Sequence, residues 1–191
     1  MHIDDLSRRL DFLREIDRLK CVVRQSPLLD RSRKENSAEH SWHLAMYALV
    51  LADYAAATID ITRVMKMLLL HDIVEVDAGD IPIHGASNEH QAELETRAAE
   101  RIFGLLPDDA NQVFGELWRE FEDGQSEDAQ FAKALDRFQP LLVNVFTQGG
   151  TWSESCVSYE QVLERYGPTI QRGAPALWEL ARRWVATHFD T

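Results

Sequence analysis

Histidine and aspartate stand side by side at His71–Asp72, closing the apolar run Val64–Leu70, with Glu75 and Gly79–Asp80 just beyond. Such a pair is costly to bury without a partner. A divalent metal is one such partner, because imidazole nitrogen and carboxylate oxygen both ligate first-row metals. Two neighbours do not complete a metal site, so further donors are needed. They stand at His40 and at Asp136, the latter interrupting the apolar pattern Phe131, Leu135, Phe138 and Leu142. A His–His–Asp–Asp set mixes nitrogen and oxygen, which suits Mn, Fe, Co, Ni or Zn better than Ca. On an octahedral metal, four protein ligands leave two positions for water and a substrate oxygen, the arrangement of a reactive site.

The elements that must position these residues read as helices throughout. Hydrophobic residues recur at helical spacing in nearly every segment, and no stretch shows sustained period-two alternation. A first helix is expected from about Asp5 to Val23, with Leu6, Leu10, Leu13, Ile16, Leu19 and Val23 on one side. A polar connection, Arg24 to Asn36, follows, and Ser37 then caps a second helix carrying His40, Trp42 and His43. A third runs from about Thr62 to Val76, and a loop marked by Gly79, Pro82, Gly85 and Asn88 comes next. Glu89 to Leu105 forms a fourth helix. Pro107 opens a fifth that stops before Gly124, and Ser126 caps a sixth that carries Asp136 and should kink or break at Pro140. Ser158 with Gln161 forms a capping box for a short helix, and Pro175 opens the last. The expectation is a compact all-α bundle of about seven to eight helices, in a single domain spanning residues 1–191.

Within the third helix, His71 and Glu75 lie four residues apart and share a face, while Asp72 is about 100° round from His71. All three can border one pocket, with Asp80 at its rim. Asp72, Glu75 and Asp77 also crowd the helix C-terminus, where negative charge opposes the macrodipole. Something positive is therefore expected there. The plain alternatives are a salt-bridged helix end at His71–Asp72 and an i,i+3 or i,i+4 ion pair for Asp136 between Lys133 and Arg137. His43 is expected behind the ligands or in the core, and His84 and His90 on the surface, with a loop histidine reaching the leaving group or a second metal as the alternative. The Arg31, Arg33 and Lys34 cluster reads as a solvated turn or as a rim that attracts anions.

The balance of 20 basic against 32 acidic residues gives a net charge of −12, which excludes a broad nucleic-acid-binding surface. It leaves room for a small phosphorylated substrate, because a metal and one or two arginines reverse the field locally. Cys21 and Cys156 stand far apart and read as free thiols of a reducing compartment. No secretory signal and no membrane span is evident, so a cytoplasmic protein without membrane contact is expected.

Taken in order, Arg24, Glu39-His40-Ser41, His71-Asp72-Ile73-Val74-Glu75 through Gly79-Asp80, and Asp136 resemble the HD-domain metal-dependent phosphohydrolases. The closest likeness is to their 5′-deoxynucleotidase branch, whose pattern is an arginine, EHS, HDxxExxxGD and a late aspartate. The resemblance spans about Leu19 to Pro140. It implies an HD-type fold, with His40, His71, Asp72 and Asp136 binding one divalent transition metal. It implies Glu75 as the residue that orients or deprotonates the attacking water. Asp80 would contact the sugar or assist the leaving alkoxide, and Arg24 would hold the phosphate. Those enzymes carry a tryptophan at or just after the arginine, where this chain has Gln25-Ser26-Pro27. The motif therefore does not settle the preference for deoxyribose over ribose.

The expected function is release of phosphate from nucleoside 5′-monophosphates, with a homodimer implied by the same resemblance. A phosphodiesterase or nucleoside polyphosphate hydrolase of the same superfamily is the alternative. A non-catalytic module that binds metal and nucleotide for regulation is the alternative from another class.

Overall fold

The computed structural model describes residues 3–84 and 89–190. Among the described residues eight helices have ten residues or more: α1 (Ile3–Ile16), α2 (Ser37–Leu51), α3 (Ile61–Leu70), α5 (Glu89–Phe103), α6 (Asp108–Asp123), α7 (Glu127–Phe146), α9 (Tyr159–Gly173) and α10 (Pro175–Phe189). Two are a single turn or little more, α4 (Glu75–Ala78) and α8 (Gly150–Glu154). The architecture is the expected all-α bundle, with one small addition.

That addition is a two-stranded antiparallel hairpin, β1 (Val23–Pro27) and β2 (Lys34–Asn36), where the sequence suggested a polar connection. Register pairs Val23 with Asn36 and Pro27 with Lys34. The hairpin escapes a hydrophobic pattern search because its inward positions are Arg24, Ser26 and Glu35, not apolar residues. The first helix accordingly ends at Ile16 and passes through a 3-10 turn, Asp17–Cys21. Its leucines also fall outside the core. Leu6, Leu10 and Leu13 are exposed, while Phe12 and Leu19 are buried.

Helix α7 runs through the centre, with α9, α3, α10, α6 and α2 packed around it. Most of it is buried, and Phe131, Leu135, Phe138 and Leu141 are each 3% exposed or less. Pro140 does not break it: the helix continues to Phe146. Proline removes the N–H that would bond the Asp136 carbonyl, and the Asn144 Nδ2–H donates to the Pro140 carbonyl at 3.0 Å one turn later. The α9 backbone comes closest to α7 at Gly173, where a Cβ would lie 2.1 Å from the Gln130 carbonyl oxygen. Only glycine allows that approach.

Helix-end signals fall where expected at three places. Gly124 is left-handed after α6, and Ser158 with Gln161 forms the capping box of α9, which at 15 residues is longer than anticipated. Pro175 occupies the first turn of α10. The cap of α2 is Asn36 instead of Ser37. Asn36 is extended at φ −106° and ψ 164°, and its side chain accepts from the Glu39 N–H while Glu39 accepts from the Asn36 N–H. This frees the Ser37 hydroxyl, which donates to Glu75. Gly85 and Asn88, expected in the loop before α5, lie outside the described residues. No helix among the described residues is long and apolar enough to cross a membrane.

Candidate functional site

The first half of the site is built on helices. His40 lies in the first turn of α2 and is fully buried. Asp136 stands at the middle of α7, 9% exposed. His71 and Asp72 follow α3, where the chain tightens into a 3-10 turn, His71–Val74, before α4. The third helix is therefore interrupted where the sequence suggested continuity. Tightening from 3.6 to about three residues per turn changes which side chains align.

Four side chains converge. One donor atom each from His40, His71 and Asp72 lie within 4.8 Å of one another. Asp136 Oδ1 is 3.0 Å from His40 Nε2 and 3.6 Å from His71 Nε2. His71 Nε2 is also 2.9 Å from Asp72 Oδ1. His71 donates its Nδ1–H to the Leu68 carbonyl at 2.9 Å, which turns the other nitrogen inward. That Nε2 is buried and lacks a hydrogen-bond partner. An orphaned imidazole nitrogen facing two buried carboxylates fits a divalent metal, because histidine ligands are commonly held through their second nitrogen in this way.

The second half rests on the hairpin and on a loop. Arg24 of β1 places Nη1 3.1 Å from Asp72 Oδ2, 3.2 Å from Asp80 Oδ1 and 3.8 Å from Glu75 Oε1. It is the positive group expected beside the acidic helix end, and only 12% of its side chain is exposed. Asp77, the third acid there, turns outward and pairs with Arg101. Gly79 reverses the chain at φ 76° and ψ 161°, a conformation reserved essentially for glycine, and brings Asp80 back over Arg24.

Burial and opposite charge act against each other across these groups. Burial disfavours the His71 cation, but Asp72 and Asp136 beside it push its pKa up to about 10. Burial also works against ionisation of Asp136, yet Arg137, His40 and His71 hold its carboxyl well below the usual range. Asp72 is lowered too, because His71 and Arg24 outweigh its desolvation. Glu75 goes the other way. Burial and the adjacent Asp72 charge raise it to about 9, only partly offset by Arg24. Asp80 is raised, by burial more than Arg24 can counter. Arg24 itself is shifted upward, since Asp72, Asp80 and Glu75 overcome its desolvation.

The site opens into two cavities. One of about 310 Å³ is bordered by Arg24, Asp72, Glu75, Asp80, Asp136 and Tyr166, among others. The other, about 800 Å³, shares Asp72, Glu75, Asp136 and Arg137 and adds Lys133 and Arg165. His84, expected at the surface, lines the first cavity and lies against the Tyr166 ring at 5.6 Å between centroids. Burial lowers its pKa, and its Nε2 is buried without a hydrogen-bond partner. The only hint in the sequence was its position four residues after Asp80. His43 packs between Trp42 and Tyr47 and stays out of the cluster, and His90 is exposed. Arg33 is engaged by Glu39, and Lys34 by Gln25 and Glu154, so these two members of the basic cluster are held in ion pairs and hydrogen bonds. Cys21 and Cys156 are free and exposed.

Comparison with known proteins places this geometry among relatives. The family model for the HD domain matches residues 16–178. The 5′-deoxynucleotidase HDDC2 of Mus musculus is 33% identical over 135 residues, 70% of this chain and 66% of that protein. The human protein of the same name is 33% identical over 70% of this chain and 65% of its own length. The chain thus spans just under two thirds of the length of these curated relatives. A crystal structure of a predicted metal-dependent phosphohydrolase from Magnetospirillum magnetotacticum MS-1 is 46% identical. It superposes with a TM-score of 0.91 over 97% of this chain and 95% of that one. A Pyrococcus horikoshii OT3 protein, 20% identical with a TM-score of 0.67 over 92% of this chain and 99% of its own, shares the fold. With the helical frame, the paired histidine and aspartate and a family match over most of its length, this chain belongs to the HD-domain family.

Proposed function

We propose that the protein is a metal-dependent phosphoric monoester hydrolase acting on nucleoside 5′-monophosphates, with residues 1–191 forming one catalytic unit. The observation that carries this reading is the convergence of His40, His71, Asp72 and Asp136 beside a buried arginine on the wall of a cavity. Those four side chains would hold one divalent transition metal, drawn from Mn, Co, Fe, Ni or Zn. When bound, such an ion polarises the phosphoryl group, acidifies water, and lowers the pKa of nearby carboxyls such as Glu75.

The protein's own groups account for the rest. Arg24 presents a planar fork suited to two phosphoryl oxygens and balances the charge that builds on them. Glu75 is held at Oε2 by the Ser37 hydroxyl, which fixes the carboxyl for taking a proton from the attacking water. Asp80, with its raised pKa, is suited to donate a proton to the departing sugar oxygen. The 310 Å³ cavity is of a size for the nucleoside part of the substrate. Cleavage breaks the phosphorus–oxygen bond of the ester and yields nucleoside and inorganic phosphate.

The polyphosphate alternative has one observation in its favour: Lys133, Arg137 and Arg165 line the larger cavity, where a second phosphate would find positive charge. The deciding experiment is phosphate release from ribo- and deoxyribonucleoside mono- and triphosphates, using metal-stripped protein with Mn, Co or Mg added. Inorganic phosphate released from monophosphates alone supports the monoesterase. Turnover of triphosphates alone replaces it, and binding without turnover revives the regulatory module. The reading includes a cytoplasmic location and a homodimer, for which the exposed α2 stripe Trp42, Met46, Leu49 and Val50 offers a face. Light scattering on the purified protein tests the dimer.

A further inference from the structure

Three buried polar atoms behind the cluster lack hydrogen-bond partners: Arg24 Nε, Glu35 Oε1 and His40 Nδ1. They face one another. Glu35 Oε1 lies 3.5 Å from Arg24 Nε and 3.5 Å from His40 Nδ1. The Glu35 side chain is 4% exposed, and Gln139 Nε2–H donates to its other oxygen at 3.3 Å. Burying a carboxylate with so little compensation is costly. No sequence motif singled it out.

Strand geometry explains how it arrives there. Side chains alternate along a strand, so Lys34 and Asn36 of β2 are part-exposed while Glu35 points into the protein. On β1, Arg24 points the same way while Val23 and Gln25 face out. The Asn36 cap then starts α2 immediately, which sets His40 five residues after Glu35 and in reach of it.

The two histidines can now be compared. Both turn Nε2 toward Asp136 Oδ1. His71 is held from behind by the Leu68 carbonyl, which accepts its Nδ1–H. His40 has no carbonyl in that role, and Glu35 is the acceptor within reach of its Nδ1.

We propose that Glu35 is a positioning residue shared by both halves of the site, fixing His40 through Nδ1 and Arg24 through Nε. The carboxylate accepts the Nδ1–H, so that Nε2 of His40 turns its unprotonated lone pair toward the cluster as a metal ligand. The same oxygen holds the stem side of the guanidinium, so that its Nη atoms point at the phosphate position. The role rests on the metal-site reading given above, and its test is separable from the substrate.

The experiment is titration of metal-stripped full-length protein with Co(II), read by the ligand-field absorption bands and by competition with a chelating dye. Wild type is compared with Glu35→Gln and Glu35→Ala, and helix content is checked by circular dichroism. Glu35→Gln keeps the shape and should bind Co(II) about 10- to 100-fold more weakly, the usual effect of losing a partner behind a metal ligand. Its absorption bands should shift, and KM should rise for whichever phosphate ester is turned over. In the zinc-loaded wild type, the His40 Nδ1 proton should resonate far downfield and exchange slowly. Unchanged Co(II) affinity and spectrum in a folded Glu35→Gln protein would overturn the proposal, as would absence of that proton signal in wild type. A weakened metal site with no phosphatase activity in any protein would leave Glu35 in place and remove the nucleotidase reading.

Discussion

The two halves of the site are built on different principles. His40, His71, Asp72 and Asp136 hang from three helices that the core already holds in place, and each is flanked by buried apolar neighbours such as Leu44, Leu68 and Leu135. Arg24, Glu35 and Asp80 hang from a short hairpin and a glycine turn, where few apolar contacts fix the backbone. There the geometry is kept by charge: one guanidinium lies within 3.8 Å of four carboxylates. Packing sets the half proposed to bind metal before any ion arrives. The half proposed to bind phosphate is held by a balance of charge that a bound phosphate would have to replace.

That contrast can be broken most severely at Asp72, the residue common to both halves. Asp72→Ala should lose metal and activity together, as checked by bound-metal analysis and phosphate release. Glu75→Ala separates the two: metal content should stay, while turnover falls by roughly 10²- to 10⁴-fold, the usual worth of a general base. Full activity in that variant would show that Glu75 is not the base. Arg24→Met should act in the opposite sense on the two halves. Phosphate affinity should drop, seen as a raised KM. Metal affinity should hold or rise, since a competing positive charge beside Asp72 is gone. Simultaneous loss of both would mean that the halves fold as one.

A pH titration sharpens the same point. In the metal-free protein, Glu75 is raised from 4.5 to about 9 and His71 from 6.5 to about 10. Both hold a proton in the folded state that the unfolded chain releases, so folding stability should decline as pH rises from 4.5 to about 9 through Glu75 and from 6.5 to about 10 through His71. Metal supplies the missing positive charge, so the loaded protein should show a flatter profile of melting temperature against pH, and metal affinity should increase with pH. The smallest effect is expected at His84. His84→Ala removes at most one hydrogen bond that the cavity wall could offer a substrate, worth about 1 kcal/mol, so KM should change by less than about tenfold.

Exposure of apolar residues marks another difference between expectation and structure. Leu6, Leu10 and Leu13 fall on one side of α1 as the spacing predicts, yet that side faces outward, with Leu10 and Leu13 each 57% exposed. Periodicity identifies a face without saying what covers it. Phe12 instead carries the contact to the core, packing on Phe103 and Phe114.

By itself the sequence determined the helical class, most helix ends, and the four residues His40, His71, Asp72 and Asp136 that the fold brings together. It could do so because helix periodicity, caps and the His71-Asp72 motif are local signals, written within a few residues of one another. The tertiary structure alone decided that Arg24 and Glu35 lie on a hairpin, that His84 lines the cavity, and that the third helix tightens at His71. These depend on contacts between segments distant in the chain, such as Arg24 with Asp72 and Glu35 with Gln139. Their side chains are polar, so no hydrophobic pattern announces that they point inward. Electrostatic partners reveal themselves only once the chain has brought them together.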